Sequence, residues 1–152
     1  MTEKVFLDTN LLVYYYSEDE PEKSAIIENI IKSNDIVISA QILNEFSYVM
    51  IRKYGKEPEL LREIIEAWRK EFDIKDLTPA LSIESLNIHE RYRFSFWDSL
   101  VIATALENNC GILFTEDLHH NQIIEGQLRV FNPFEGIPGD FVEDEQEKSS
   151  QD

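Results

Sequence analysis

Four acidic residues stand in positions where a charge is costly. Asp8 follows the apolar run Val5-Phe6-Leu7 directly and is itself followed, after Thr9 and Asn10, by "LLVYYY". In "AQILNEFSYVM", Glu45 comes three residues after Ile42 and four before Val49, so on a helix it shares the apolar stripe of Ile42, Phe46 and Val49. Asp98 precedes Val101 and Ile102 by three and four residues in "DSLVIATALEN", at the head of a second stripe. Asp117, beside Glu116, comes just after the apolar segment "GILFT". None of these segments contains Lys or Arg. Unpaired carboxylates in such places cost several kcal/mol per ion, and their mutual repulsion adds to that cost. A cation relieves it, and clustered hard oxygen donors suit Mg²⁺ or Mn²⁺. A purely structural reading stays open for three of the four. Asp8 or Asn10 could cap a helix starting near Leu11, Ser95-Phe96-Trp97-Asp98 fits a capping box, and Asp117 could cap a turn. Glu45, in mid-helix, has no capping role.

The elements that would position these acids alternate along the chain. Short apolar runs at 5–7, 36–39, 111–115 and 128–131 predict strands, with 73–77 a weaker fifth. Between them, "EPEKSAIIENIIKS", "AQILNEFSYVMIRKY", "EPELLREIIEAWRKEF", "PALSIESLNIHERY" and "DSLVIATALENN" have helical period. Pro21, Pro58 and Pro79 fall at or near helix starts, where a missing N–H costs little. Strands alternating with helices predict an α/β fold with a parallel sheet covered on both faces, and ligands bind such sheets at the carboxyl ends of their strands. Asp8 lies at such an end.

Length and composition bound the rest. A chain of 152 residues predicts one domain, here residues 1–139, followed by an acidic tail, "DFVEDEQEKSSQD", at 140–152. The tail carries six acids against one Lys and few apolar groups, the composition of a disordered segment. Cys110 is the only cysteine, which suits a reducing compartment. No apolar run approaches the ~20 residues needed to cross a bilayer, and the acidic start "MTEKVFLD" is no signal peptide. A cytoplasmic protein with no membrane partner is expected. The net charge of −16 excludes a generic nucleic-acid binder with a basic face. Nine of the 14 basic residues lie between Arg52 and Arg93, so cations for a polyanionic ligand would come from there.

The ordered segments "FLDTN" (6–10), "NEF" (44–46), "WDSLVIATAL" (97–106), "ILFTEDL" (112–118) and "VFNPF" (130–134) resemble those of PIN-domain ribonucleases, in particular the VapC-like toxins of type II toxin–antitoxin pairs. They span nearly everything before the tail. The resemblance implies a PIN-like three-layer fold, a central parallel sheet flanked by helices, with an endoribonuclease site that uses Mg²⁺ or Mn²⁺. It implies Asp8, Glu45, Asp98 and Asp117 as catalytic metal ligands, Asn10 and Thr115 as polar residues supporting them, RNA as substrate, an antitoxin protein as partner, and a homodimer. Metal-activated water attacking in line would leave a 5′-phosphate and a 3′-hydroxyl with no need of the 2′-OH. Asn121 departs from the pattern, standing where relatives often have Gly.

Other features carry less. His119 and His120 are expected in a solvated loop rather than on a metal. In "RYRFSFW" the expectation is that Phe94, Phe96 and Trp97 belong to the core, with Arg91 and Arg93 at the surface as candidate RNA contacts. Tyr14, Tyr15 and Tyr16 are expected to divide between the core and a subunit contact. A haloacid-dehalogenase-type phosphatase needs a second Asp where Asn10 stands, and a Lys near the late strands, yet no Lys occurs between Arg93 and Lys148. A receiver domain fails on the same Lys. A non-toxin PIN nuclease of RNA processing and a PIN-fold interaction module without activity remain as alternatives.

Overall fold

In the computed structural model, which describes residues 3–135, the apolar run after Lys4 forms a central strand buried on both faces. This strand, β1 (Lys4–Leu7), leads into α1 (Thr9–Tyr16) and α2 (Pro21–Ser33), then β2 (Asp35–Ser39). The chain continues through α3 (Ala40–Arg52), α4 (Pro58–Glu71) and β3 (Asp73–Lys75), then α5 (Pro79–Tyr92) and α6 (Phe96–Glu107). It ends with β4 (Ile112–Phe114), β5 (Ile123–Ile124) and β6 (Leu128–Phe131). The sheet order is β3-β2-β1-β4-β6-β5, parallel throughout except for the β5–β6 pair. Helices flank this mostly parallel sheet, as expected. The predicted tail, 140–152, lies outside the described residues.

The strand order fixes where helices go. Passing from β1 to β2 to β3 moves the chain one way across the sheet, and passing on to β4 reverses it. Because parallel crossovers are right-handed, the reversal sends α5 and α6 to the face opposite α1–α4. The pairings agree: α1 packs on α2 and α3, whereas α5 packs on α6. The reversal also makes the β1/β4 boundary a topological switch point, the usual crevice for ligands in open α/β sheets.

All five expected strands form, two of them (β3 and β4) shorter than expected and the other three within one residue, and β5 is additional. Two residues are too short to show an alternation, and Ile123–Ile124 joins the sheet only because Glu125 and Gly126, both at positive φ, turn the chain back onto β6. Asn121 also has positive φ, 69°. Asn tolerates that region better than most other side chains, so this position does not require Gly. The stripe on α3 differs by one position: Ile42, Phe46 and Met50 are buried, and Val49 is only partly so.

Under α3 and α4 the core is aromatic. Trp68 is fully buried, with Phe46 at 4.6 Å, Tyr16 at 5.6 Å and Phe72 at 5.9 Å between ring centroids. Its indole N–H donates to the Tyr16 hydroxyl at 3.0 Å. Tyr16 therefore belongs to the domain interior, and Tyr14 likewise packs edge-on against Phe134. Trp68→Ala should cost about 3–5 kcal/mol in urea unfolding. Tyr16→Phe should cost about 1–3 kcal/mol, because it strands a buried N–H. In a Trp68→Phe background, which lacks the donor, the loss at Tyr16 should largely disappear.

Candidate active site

The strand β1 ends in Asp8, whose burial is explained by the bonds its carboxylate makes. Asp8 is the N-cap of α1, with one carboxylate oxygen accepting the Thr9 N–H at 2.8 Å. The other oxygen accepts the Thr115 hydroxyl at 2.7 Å, from the loop after β4. Capping and site membership thus coincide in one side chain. The next two residues reach further. Thr9 donates its hydroxyl to Glu45 at 2.8 Å, and the Asn10 amide donates to Asp117 at 3.0 Å. Thr115 closes the network by accepting the Asp117 N–H at 3.1 Å. On α6, the Asp98 N–H donates to Ser95, as a capping box requires.

Asp8, Glu45, Asp98 and Asp117, with Asn10, line a single cavity of about 410 Å³. Its lining contains no Lys or Arg. Burial pushes the Asp8 carboxyl up to about 6; the Thr115 and Thr9 hydrogen bonds pull it down, and Asp117 and Asp98 push it further up. Asp117 is raised as well, by burial first and then by Glu116 and Asp98. The donors are hard oxygens facing one space, which fits a divalent ion in kind. As they stand, no three acidic, His or Cys side chains among the described residues are close enough together to hold one ion.

Other candidates fall elsewhere. Glu116 turns away from the cavity, accepting a short hydrogen bond from Tyr14 and lying 3.7 Å from Lys23. Arg91 pairs with Glu125, and Arg93, exposed, ends α5 in a left-handed conformation; neither lines the cavity. His120 accepts the Asn132 N–H at 3.0 Å and packs on Phe131, so it is structural rather than solvated, and His119 is exposed. Trp97 is not in the core. It is 61% exposed in the first turn of α6, where it lines the cavity beside Asp98.

Besides Trp97, the lining residues outside the expected set include Thr9, Gln41, Asn44 and Tyr48. Gln41 and Tyr48 lie four residues before and three after Glu45, so helical spacing from a suspected ligand would have found them. Thr9 gives no such signal, because its role depends on where α3 packs.

The chain belongs to the PIN-domain family, whose sequence pattern matches residues 5–125. No curated protein sequence matches it. Among solved structures it is similar to a toxin–antitoxin complex from Klebsiella pneumoniae, with 20% identity, TM-score 0.64, and coverage of 86% of this chain and 98% of that one. It is similar to DNA-bound VapBC from Salmonella typhimurium at 19% identity and TM-score 0.60, covering 86% of this chain and 98% of that one. VapC20 from Mycobacterium tuberculosis, a sarcin–ricin loop cleaving toxin, gives 17% identity and TM-score 0.60, covering 74% of this chain and 91% of that one. At these identities the shared property is the fold.

A carboxyl raised from 3.8 to about 6 holds its proton more tightly in the folded chain than in the unfolded one. The stability this contributes is fully present below about pH 4 and is lost as pH rises through about 6. In chelator, Asp8→Asn should therefore raise stability by about 2–3 kcal/mol near pH 7.5, and the gain should vanish near pH 4. Thermal unfolding of both proteins across that range checks the sign and the window. A destabilised Asn variant at neutral pH would make Asp8 a structural cap only.

Proposed function

We propose that this chain is a metal-dependent endoribonuclease that hydrolyses RNA phosphodiester bonds, and that it acts as the toxin of a toxin–antitoxin pair. The observation that carries the reading is the burial of Asp8 among Glu45, Asp98 and Asp117 with no basic residue in the cavity lining. Without a counter-ion such a set of charges is self-repelling, and a divalent cation is the group that removes the repulsion.

Asp8, Glu45, Asp98 and Asp117 are the residues that would hold Mg²⁺ or Mn²⁺, which supplies an activated water and neutralises charge on the phosphate. The chain's own contribution is orientation. Thr115 and the Thr9 N–H fix both oxygens of Asp8, Thr9 holds Glu45, and Asn10 holds Asp117. Each of Glu45 and Asp117 is held through one carboxylate oxygen, leaving the other to turn toward an ion. Attack of water at phosphorus with rupture of the bond to the 3′ oxygen gives a 5′-phosphate and a 3′-hydroxyl.

The similar structures from Klebsiella pneumoniae and Salmonella typhimurium are complexes of toxin with antitoxin or of VapBC. That likeness and the acidic cavity support one partner: an antitoxin whose flexible segment brings Arg or Lys to the carboxylates and folds on binding. Among the described residues no helix is long and apolar enough to cross a membrane, and we place the chain in the cytoplasm. A second reading, a PIN-fold module without cleavage, draws on the present spacing of the carboxylates, too wide for three to share an ion.

Mn²⁺ separates the two. At a concentration about a hundredfold above its Kd it should stabilise the chain by about 2.7 kcal/mol, and by less in Glu45→Gln and Asp98→Asn. RNA cleavage should require the metal. Thr115→Val should slow it roughly 10–100-fold, as expected for a residue that orients a ligand, and Asp8→Asn should slow it more. No thermal shift together with no cleavage in millimolar Mn²⁺ would leave the silent module standing. Purification with the products of neighbouring genes tests the partner. A chain that cleaves RNA, harms no host and captures no neighbour is a nuclease but not a toxin.

A further inference from the structure

Two aromatic side chains border the carboxylate cavity without serving the carboxylates. Trp97, at the start of α6, is 61% exposed, and Tyr48, on α3, is 62% exposed. Both line the cavity that holds Asp8, Glu45 and Asp98. Large aromatic surface left in water on two separate helices at one opening is costly unless something covers it in use. Each has a neighbour that places it at the opening. The Trp97 carbonyl accepts the amide N–H of Gln41, itself 5% exposed, at 3.2 Å, and the Phe96 ring meets Trp97 edge-on at 5.3 Å. The guanidinium of Arg52 stands 5.8 Å from the centre of the Tyr48 ring.

The charge balance says what kind of group fits. The cavity lining has no Lys or Arg, and the chain carries a net charge of −16, so phosphates gain little here beyond what a metal ion gives them. A nucleobase is neutral and presents a π-face, and aromatic side chains bind it with little regard to sequence. We propose that Trp97 and Tyr48 form a base-binding subsite that takes an unpaired nucleobase of the substrate next to the cleaved phosphate. This rests on the nuclease reading above and concerns one position of its substrate: the subsite takes only an unpaired base, because bases within a duplex are stacked on one another and withheld. Arg52 places a cation at the rim, where the phosphate of the same nucleotide would pass.

The test separates base binding from cleavage. A short single-stranded oligoribonucleotide carrying 2-aminopurine, 2′-O-methyl riboses and uncharged methylphosphonate linkages resists hydrolysis, because its 2′ oxygens cannot attack phosphorus, and it removes phosphate repulsion. The full chain should quench its fluorescence saturably. Trp97→Ala and Tyr48→Ala should each weaken binding roughly tenfold, Trp97→Phe should retain most of it, and the annealed duplex should not bind. With cleavable RNA and Mn²⁺, Trp97→Ala should raise KM about tenfold and leave kcat within about twofold. Folded variants that leave both probe affinity and KM unchanged overturn the proposal. So does a Trp97→Ala variant that loses only a protein partner, which would make the patch a protein-docking surface. A chain that binds the probe through Trp97 yet cleaves no RNA keeps the base subsite and sinks the nuclease reading. Cleavage indifferent to both aromatics does the reverse.

Discussion

Holding Asp8 at the end of the central strand sets a constraint to which much of the molecule answers. The side chain is nearly buried, and its two hydrogen bonds, from Thr9 and Thr115, orient it without neutralising it. A basic neighbour would solve the problem in an ordinary core. Here the switch in strand order brings α3 from one face and α6 from the other to the same crevice, and each contributes another acid. The fold thus concentrates negative charge where a simple stability argument would disperse it. That conflict between local stability and global arrangement is expected at functional sites and uncommon elsewhere.

The junction of β1 and α1 distributes this constraint through three consecutive residues. Asp8 ties to the loop after β4, Thr9 to α3, and Asn10 to Asp117. One turn of backbone therefore sets the relative positions of three elements far apart in sequence. On the outer side, Tyr14 takes hold of Glu116, one residue before Asp117, and Lys23 stands near the same carboxylate. Adjacent residues in that loop point opposite ways, since one is tied to a tyrosine and a lysine while the other faces the cavity. Glu116 lies beside a cation, and Asp117, left facing the other carboxylates, has its pKa raised by burial and by its acidic neighbours.

What the sequence made legible depends on how local each signal is. Asp8 after Val5-Phe6-Leu7, and Glu45 on an apolar stripe, are conflicts between a residue and its immediate neighbours, so they stand out without any structure. The alternation of apolar runs with helical segments predicts the parallel sheet for the same reason. Trp97 is misplaced by its sequence context because an aromatic among aromatics reads as core, and only the packing of α6 shows that its first turn borders an opening. The α6 helix is buried over most of its surface, so its pattern cannot say which side faces the sheet. Thr9 and β5 are invisible for the opposite reason. One depends on a hydrogen bond across 36 positions, and the other is two residues long.

The placement of the cations completes the physical picture. Between Arg52 and Arg93, where a polyanion would be expected to find its partners, three of the nine basic side chains are engaged with the chain's own acids: Arg69 with Glu66, Lys75 with Asp73, and Arg91 with Glu125 across to the β5–β6 turn. Surface pairs of this kind contribute little to stability, but they cancel the local field that would draw in phosphate. A nuclease built on such a chain cannot rely on long-range attraction, and its selectivity must come from short-range contacts at the cleavage site. On the readings proposed above, carboxylates that would bind through an intervening cation, beside exposed rings that would take a base already out of its stack, supply contacts of that kind. The same negative field that discourages casual binding of a polyanion would favour a basic protein segment, so the one charge distribution is consistent with both the substrate restraint and the antitoxin proposed above.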